Sequence, residues 1–243
     1  MVERLAQRFP NLVGGAIAAT IIALWAVGLV ILLSVDFSFW PPWTIPILVA
    51  VQTMLYTGLF ITAHDAMHGT ITPDYRRLND TVGAIASTAY ALFSWRKLRR
   101  YHWAHHDHPV SDDDPDYHGH GGAGPLRWYT RFMLQYLSIP QLVGMALVFN
   151  LFQHAVGVAV INLVAFWVLP AVASTVQLFF FGTYLPHRHP PGGHEEPHRA
   201  QSNDFGVWLS FVTCYHFGYH REHHERPDIP WWRLPAYRRK TTA

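Results

Sequence analysis

Two long stretches of this 243-residue chain are almost free of charge. Between Arg8 and His64 the sole Asp, Glu, Lys or Arg is Asp36, and the 56 residues from Phe132 to His187 contain none. A hydrocarbon layer needs about 20 apolar helical residues to cross it. Within it no water is present to pair a free backbone N–H or C=O, so the segment must be helical. The first stretch holds two such segments, 13–35 and 43–63, parted by the aromatic and proline-rich Phe37–Trp43. The second holds two more, 132–150 and 155–183, parted near Asn150–His154, with Pro140 and Pro170 expected to kink them. The first span is too long for the apolar core of a signal peptide and has no clear small-residue cleavage site. Thr81–Trp95, 15 residues, suits a short buried or interfacial helix.

Charged residues make up 14% of the chain, against about 25% in a soluble domain, and the deficit sits in these tracts. That excludes an ordinary soluble globule. A net charge of +2 offers no basis for nucleic-acid binding. The single Cys214 excludes a disulfide framework, a Cys-rich zinc module and a four-thiolate iron–sulfur site.

All 18 Lys and Arg lie in the N-terminal segment, in 64–131 or in 187–243, and neither short turn between spans carries one. Four crossings put those three segments on one side, which the excess of basic residues marks as cytoplasmic. The expected fold class is therefore an all-α integral membrane protein, one domain over 1–243. It has four transmembrane helices, the short buried or interfacial helix, and a cytoplasmic histidine-rich helical cap formed by 64–131 and 187–243. In a bacterial cell this is an inner-membrane protein with both termini cytoplasmic.

Sixteen of the 17 histidines fall on that side; His154, at the outer turn, is the exception. Eight form three boxes: His64 and His68 in HDAMH, His102, His105 and His106 in HWAHH, and His220, His223 and His224 in HREHH. Residues three and four apart share a helix face, so each box aims its imidazoles at a common point. Neutral imidazole is a ligand for iron, zinc and copper, with about four to six donors per transition metal. Eight donors exceed one tetrahedral zinc and suit two metals. His194-Glu-Glu-Pro-His198 matches the zinc-protease HExxH pattern in letters alone, because Pro197 would break the helix that pattern requires. A metal transporter or a haem-bearing bundle would place polar ligands within the spans, which hold almost none.

With HxxxH, HxxHH and HxxHH set around two hydrophobic pairs, the chain resembles the membrane fatty-acid desaturase and hydroxylase superfamily. HDAMHGT at 64–70, HWAHHDHPVSDDDPDYH at 102–118, FGTYLPHR at 181–188 and CYHFGYHREHHERPDIPWWRLP at 214–235 are similar to bacterial-type β-carotene ketolases. The resemblance implies a di-iron centre that uses O2. It also implies conversion of the C4 methylene of a β-ionone ring to a ketone by two hydroxylations and loss of water. β-Carotene would become echinenone and then canthaxanthin. The alternatives with the same boxes are a fatty-acid desaturase or hydroxylase and a carotenoid hydroxylase. Superfamily members often take a further ligand after the fourth span; Thr183-Tyr-Leu-Pro-His187 matches that pattern except for its Thr, making His187 the ninth ligand and His189 its rival. His216, four residues before His220 and on the same face of a helix, is a further ligand or a supporting donor. Asp65, Asp114, Asp116 and Glu222 are candidates to receive the other N–H of ligating histidines. His108, His118 and His120 read as solvated or structural. Tyr90, Phe93, Trp95, Phe211 and Tyr215 are candidate lining residues for a membrane-dissolved carotenoid. No flavin, nicotinamide or iron–sulfur motif is present, which implies an external electron donor, a ferredoxin with its reductase.

Overall fold

The computed structural model describes residues 8–190 and 192–241. The first seven residues, including Arg4 of the segment assigned to the basic side, lie outside the described residues. Every regular element among the described residues is a helix: α1 (Pro10–Ser34), α2 (Thr44–Met67), α3 (Arg76–Ala91), α4 (Trp95–Asp107), α5 (Pro125–Tyr136), α6 (Ile139–Val156), α7 (Val160–His187), α8 (Val207–Cys214), α9 (His220–Glu225) and α10 (Leu234–Thr241). Helices α1, α2, α6 and α7 are each long and apolar enough to cross a membrane. Their outward rows are apolar and open: Val30 is 66% exposed, Leu147 66% and Ile161 70%. A protein surrounded by water would bury such rows; one surrounded by lipid has no reason to.

The spans differ in detail from their sequence limits. Residues 132–136 complete α5, and the third span begins at Ile139 after an extended Leu137-Ser138. Pro140 therefore sits in the first turn of α6, where its missing N–H has no partner to lose, and it starts the helix rather than kinking it. The outer turn is Gly157–Ala159 rather than 150–154. The chain is still helical through Val156, and Gly157 turns it at a φ of +82° that only glycine adopts freely. Pro170 follows a wide π-helical turn over Val164–Val168, an arrangement that absorbs its missing hydrogen bond within α7. The second span runs on to Met67, so His64 belongs to it rather than to the cap. The short amphipathic helix is Arg76–Ala91; Leu92 turns left-handed (φ +55°) and ends it, so Trp95 opens α4 instead.

Several polar side chains inside the bundle close on one another, as an environment without water favours. Thr57 Oγ1 donates to Gln177 Oε1 at 2.6 Å, and Gln177 Nε2 donates to the Thr213 carbonyl at 2.6 Å. Asn162 Nδ2 donates to the Val35 carbonyl at 2.8 Å, pairing a carbonyl at the C-terminal end of α1. The basic end is assembled across α2. Asn79 of α3 donates to the Ala66 carbonyl at 2.7 Å, and Trp103 of α4 donates to the Met67 carbonyl at 3.2 Å. Gly83 admits the Trp95 ring so closely that a Cβ there would lie 2.4 Å from it. Lys97 Nζ donates to the carbonyls of Gln135 (2.8 Å) and Tyr136 (3.2 Å), closing the C-terminus of α5 with a cation where the helix dipole favours one.

Candidate metal centre

Two short helices, α4 and α9, and the end of the span α2 bring the boxes together. On α4 the buried side chains Leu98, His102 and His105 follow the i, i+4, i+7 stripe of one face. On α9 all three box histidines are buried, and His64 lies in the last turn of α2. Ligand nitrogens of His64, His68, His102 and His223 lie within 4.8 Å of one another, and those of His105, His187, His220 and His224 form a second such group. His106 sits beside the first group, its Nε2 3.0 Å from that of His223, with its ring stacked at 4.2 Å on His224.

The nearest approaches are all between Nε2 atoms: His68 to His102 2.6 Å, His64 to His223 3.1 Å, His105 to His224 3.1 Å, and His220 to His224 3.2 Å. Two nitrogens about 2.1 Å from one ion, at angles between square and tetrahedral, are about 3.0–3.4 Å apart. Three of the four separations match that chord, and His68–His102 is shorter. Rings packed only for their apolar area would not turn their nitrogens inward. His187 Nε2 is buried with no partner among the described residues, an arrangement that leaves a lone pair available to a cation. The donor set fits a two-metal centre.

The opposite edges of the rings set their tautomers. Asp114 accepts from His105 Nδ1 at 2.9 and 3.0 Å, and its own oxygens are held by the backbone N–H groups of Val110 and Asp116. His187 Nδ1 donates to the Arg199 carbonyl at 3.2 Å. Asp65 Oδ1 lies 3.4 Å from His64 Nδ1, while its Oδ2 accepts from the Trp231 N–H at 3.1 Å. A proton fixed on Nδ1 leaves Nε2 as the ligand atom. Burial, followed by mutual repulsion between neighbouring imidazoles, holds His68, His102, His106, His220, His223 and His224 well below the ordinary pKa, so all are neutral and able to ligate. Burial also lowers His105, but the Asp114 charge and hydrogen bond outweigh it and leave this ring raised. Asp114 is correspondingly held below the usual carboxylate range: burial raises it, and the stronger pull of His105 lowers it.

The remaining candidates divide. His187 is in the cluster; His189 is outside both groups, with its ring 5.2 Å from that of His194. The continuous helix that would set His216 above His220 is absent. Helix α8 stops at Cys214, Tyr215 and His216 take left-handed backbone conformations, and His216 stacks between Tyr219 and Trp231. Of the four carboxylates, Asp65 and Asp114 adjoin cluster histidines. Glu222 instead accepts from Ser202 and Arg238, and Asp116 accepts from the Tyr136 hydroxyl. Residues 194–198 form turns rather than the helix that HExxH requires.

Against the histidines lies a cavity, lined by His64, His102, His105 and His220 at one end. Its walls are mainly apolar, and Phe60, Phe93, Phe132 and Met133 are only half-buried. Of the five candidate lining residues, Tyr90 and Phe93 are on its wall. Trp95 packs instead towards Ala66 and Ile71, and Phe211 and Tyr215 pack on Trp231. Phe132, Met133, Tyr136 and Thr183 also line it, and no sequence signal marked them, because α5 and α7 place them there from one uniformly apolar tract.

The fatty acid desaturase family model matches residues 38–157 and 139–243. A β-carotene ketolase of Paracoccus sp. (strain N81106 / MBIC 01143) is 44% identical over 189 residues, 77% of this chain and 76% of that protein. A β-carotene ketolase of Paracoccus sp. (strain PC1) is 45% identical over 190 residues, with the same coverage. A zeaxanthin 4-ketolase of Chlamydomonas reinhardtii is 40% identical over 247 residues, 94% of this chain and 54% of that protein.

Proposed function

The chain belongs to the fatty acid desaturase family and, within it, to the β-carotene ketolases, and from that premise we propose that it is a membrane β-carotene 4-ketolase. The observation that carries the reading is the junction of two four-histidine groups with one apolar cavity. Two iron ions, one held by His64, His68, His102 and His223 and the other by His105, His187, His220 and His224, with His106 between, would supply the activation of dioxygen.

The chain's own residues do the rest. The buried, neutral imidazoles of His68, His102, His106, His220, His223 and His224 present their Nε2 lone pairs without competition from protons. Asp65, Asp114 and the Arg199 carbonyl keep the rings in the tautomer that ligation needs. The apolar wall of Phe60, Tyr90, Phe93, Phe132 and Phe217 surrounds the substrate ring and excludes water from the reacting carbon. The cavity is mainly apolar, with His64, His102, His105 and His220 among the few polar groups of its wall. It suits the ring end of a long polyene whose remainder stays in lipid. Each oxidation replaces a C4–H bond by C4–OH, consuming one O2, two electrons and two protons and releasing water. Loss of water from the geminal diol leaves the ketone.

The two electrons come from a soluble donor, a ferredoxin with its reductase, at a cytoplasmic face of the bacterial inner membrane. The distribution of Lys and Arg supports that orientation. The 40% identity to a protein named for zeaxanthin supports a second reading of the substrate, in which 3-hydroxylated rings are also accepted. Expression in bacteria that accumulate β-carotene tests the function: echinenone and canthaxanthin are expected, and unchanged carotene with altered fatty acids would overturn it.

A further inference from the structure

The cavity wall beside His105 carries a polar pair whose role the metal centre does not explain. Tyr136, the last residue of α5, and Asp116, in the loop after the second histidine box, both line the cavity. Their side chains are joined by a hydrogen bond from the tyrosine hydroxyl to Asp116 Oδ1. Both are buried, each 9% exposed. The pair is held rigidly. The Asp116 N–H donates to Asp114 Oδ1 at 2.8 Å, the Asp116 carbonyl accepts from Trp128 Nε1 at 2.8 Å, and the Tyr136 ring packs on Phe132 and Tyr101. Through Asp114 the pair is continuous with His105, which places it at the metal end of the cavity.

Two of the other three hydroxyls on the wall have partners of their own. Tyr90 donates to Ser174 Oγ at 3.0 Å, and Thr175 is bonded to the Val172 carbonyl and to Tyr129, both at 2.7 Å. The Tyr136–Asp116 pair retains acceptor capacity. A phenolic oxygen that donates its hydrogen still has two lone pairs, and Asp116 Oδ2 accepts no hydrogen bond among the described residues. A methylene cannot use such an acceptor. An alcohol can, and an alcohol without one in an apolar cavity is at a disadvantage.

We propose that the Tyr136–Asp116 pair is the binding point for the half-oxidised ring. It accepts the hydrogen of the newly formed allylic alcohol, so that this intermediate is retained and oxidised again rather than released. The inference rests on the ketolase reading and adds a cause for the second oxidation at the same carbon. Tyr136 and Asp116 act here as positioning residues, through a hydrogen bond to the substrate's oxygen.

The test is product partition. Membranes carrying the whole protein with Tyr136→Phe or Asp116→Asn are given β-carotene, and the ratio of 4-hydroxy to 4-keto products is read by chromatography alongside the metal content. The ratio is expected to rise about tenfold or more, and KM for added 4-hydroxy-carotene to rise more than KM for β-carotene. Phe60→Leu, on the apolar wall and with its ring against Tyr90 rather than Tyr136, is expected to lower total turnover without moving the ratio. An unchanged ratio in both variants, whatever the total turnover, makes the pair a structural tie and overturns the proposal. Should neither variant accumulate in the membrane, the unaltered protein decides. Given β-carotene and its 4-hydroxy derivative together, it is expected to consume the alcohol first, and equal consumption overturns the inference. If the unaltered protein yields neither alcohol nor ketone, the ketolase reading itself fails.

Discussion

At the scale of single residues, what separates neighbouring candidates is the atom each side chain meets. His187 and His189 are two residues apart, yet the first closes a four-nitrogen group and the second faces His194. His187→Ala is therefore expected to abolish ketone formation and lower iron content, and His189→Ala to preserve both. Metal analysis of the purified proteins checks this, and loss of iron in the His189 variant would reverse the assignment. Asp114 orients His105 through a charged hydrogen bond. Asp114→Asn is expected to weaken metal retention by about 10–100-fold, measured by competition with a chelator. The histidine boxes were legible in the sequence because spacings of three and four fix a helical face. The choice among Asp114, Asp116 and Glu222 was not legible, because the first two lie in an irregular loop. Glu222 turns away from the imidazoles to Ser202 and Arg238, contributed by distant segments.

At the scale of elements, close approach between helices controls where the boxes sit. Helix α3 lies against α2 only because Gly83 leaves room for Trp95 and Ala66. A methyl there would gain up to about 1 kcal/mol of helix propensity. It would also lie 2.4 Å from the Trp95 ring and 2.8 Å from the Ala66 Cβ, an overlap whose typical cost is about 1–3 kcal/mol. The overlap wins, so Gly83→Ala is expected to lower the thermal midpoint in detergent. Gly15→Ala, whose methyl would meet nothing nearer than Thr72 at 3.7 Å, is expected to hold or raise it. Equal midpoints would show that α3 shifts freely. The existence of the four spans followed from missing charge alone, but their limits did not. Pro140 begins a helix and Pro170 lies within one, because hydrogen bonding around a proline depends on the turn that precedes it.

At the scale of the whole molecule, the histidine cluster couples stability to pH. In the unfolded chain these imidazoles take up protons near 6.5; in the folded, metal-free protein His102, His106, His220, His223 and His224 stay neutral well below that value. The unfolded state then binds more protons once the pH drops below about 6.5, so acid favours unfolding. Chemical denaturation of the metal-free protein is expected to show stability present above that pH and falling progressively beneath it. A flat profile between about pH 7 and 5 would contradict the burial of these rings. Protonation competes with metal for the same nitrogens, so the loaded protein is expected to release metal over the acid range as well.

What the sequence determined by itself is the kind of object this chain is: four apolar crossings, a basic side, and three helical histidine boxes gathered there. Those features are local, since composition sets partition into lipid and spacing sets the face of a helix. The tertiary structure decided everything that depends on residues far apart in the chain meeting. It sorted eight of the histidines into two groups of four, with His106 beside the first, and set His187 in one group and His189 outside both. It moved His216 aside, and it set Tyr136 and Asp116 on the cavity wall. The physical reason is that a metal site and a substrate cavity are defined by distances of a few ångströms between separate helices. Those distances arise from interhelical packing and the irregular turns at 92, 157 and 215, which periodicity does not encode.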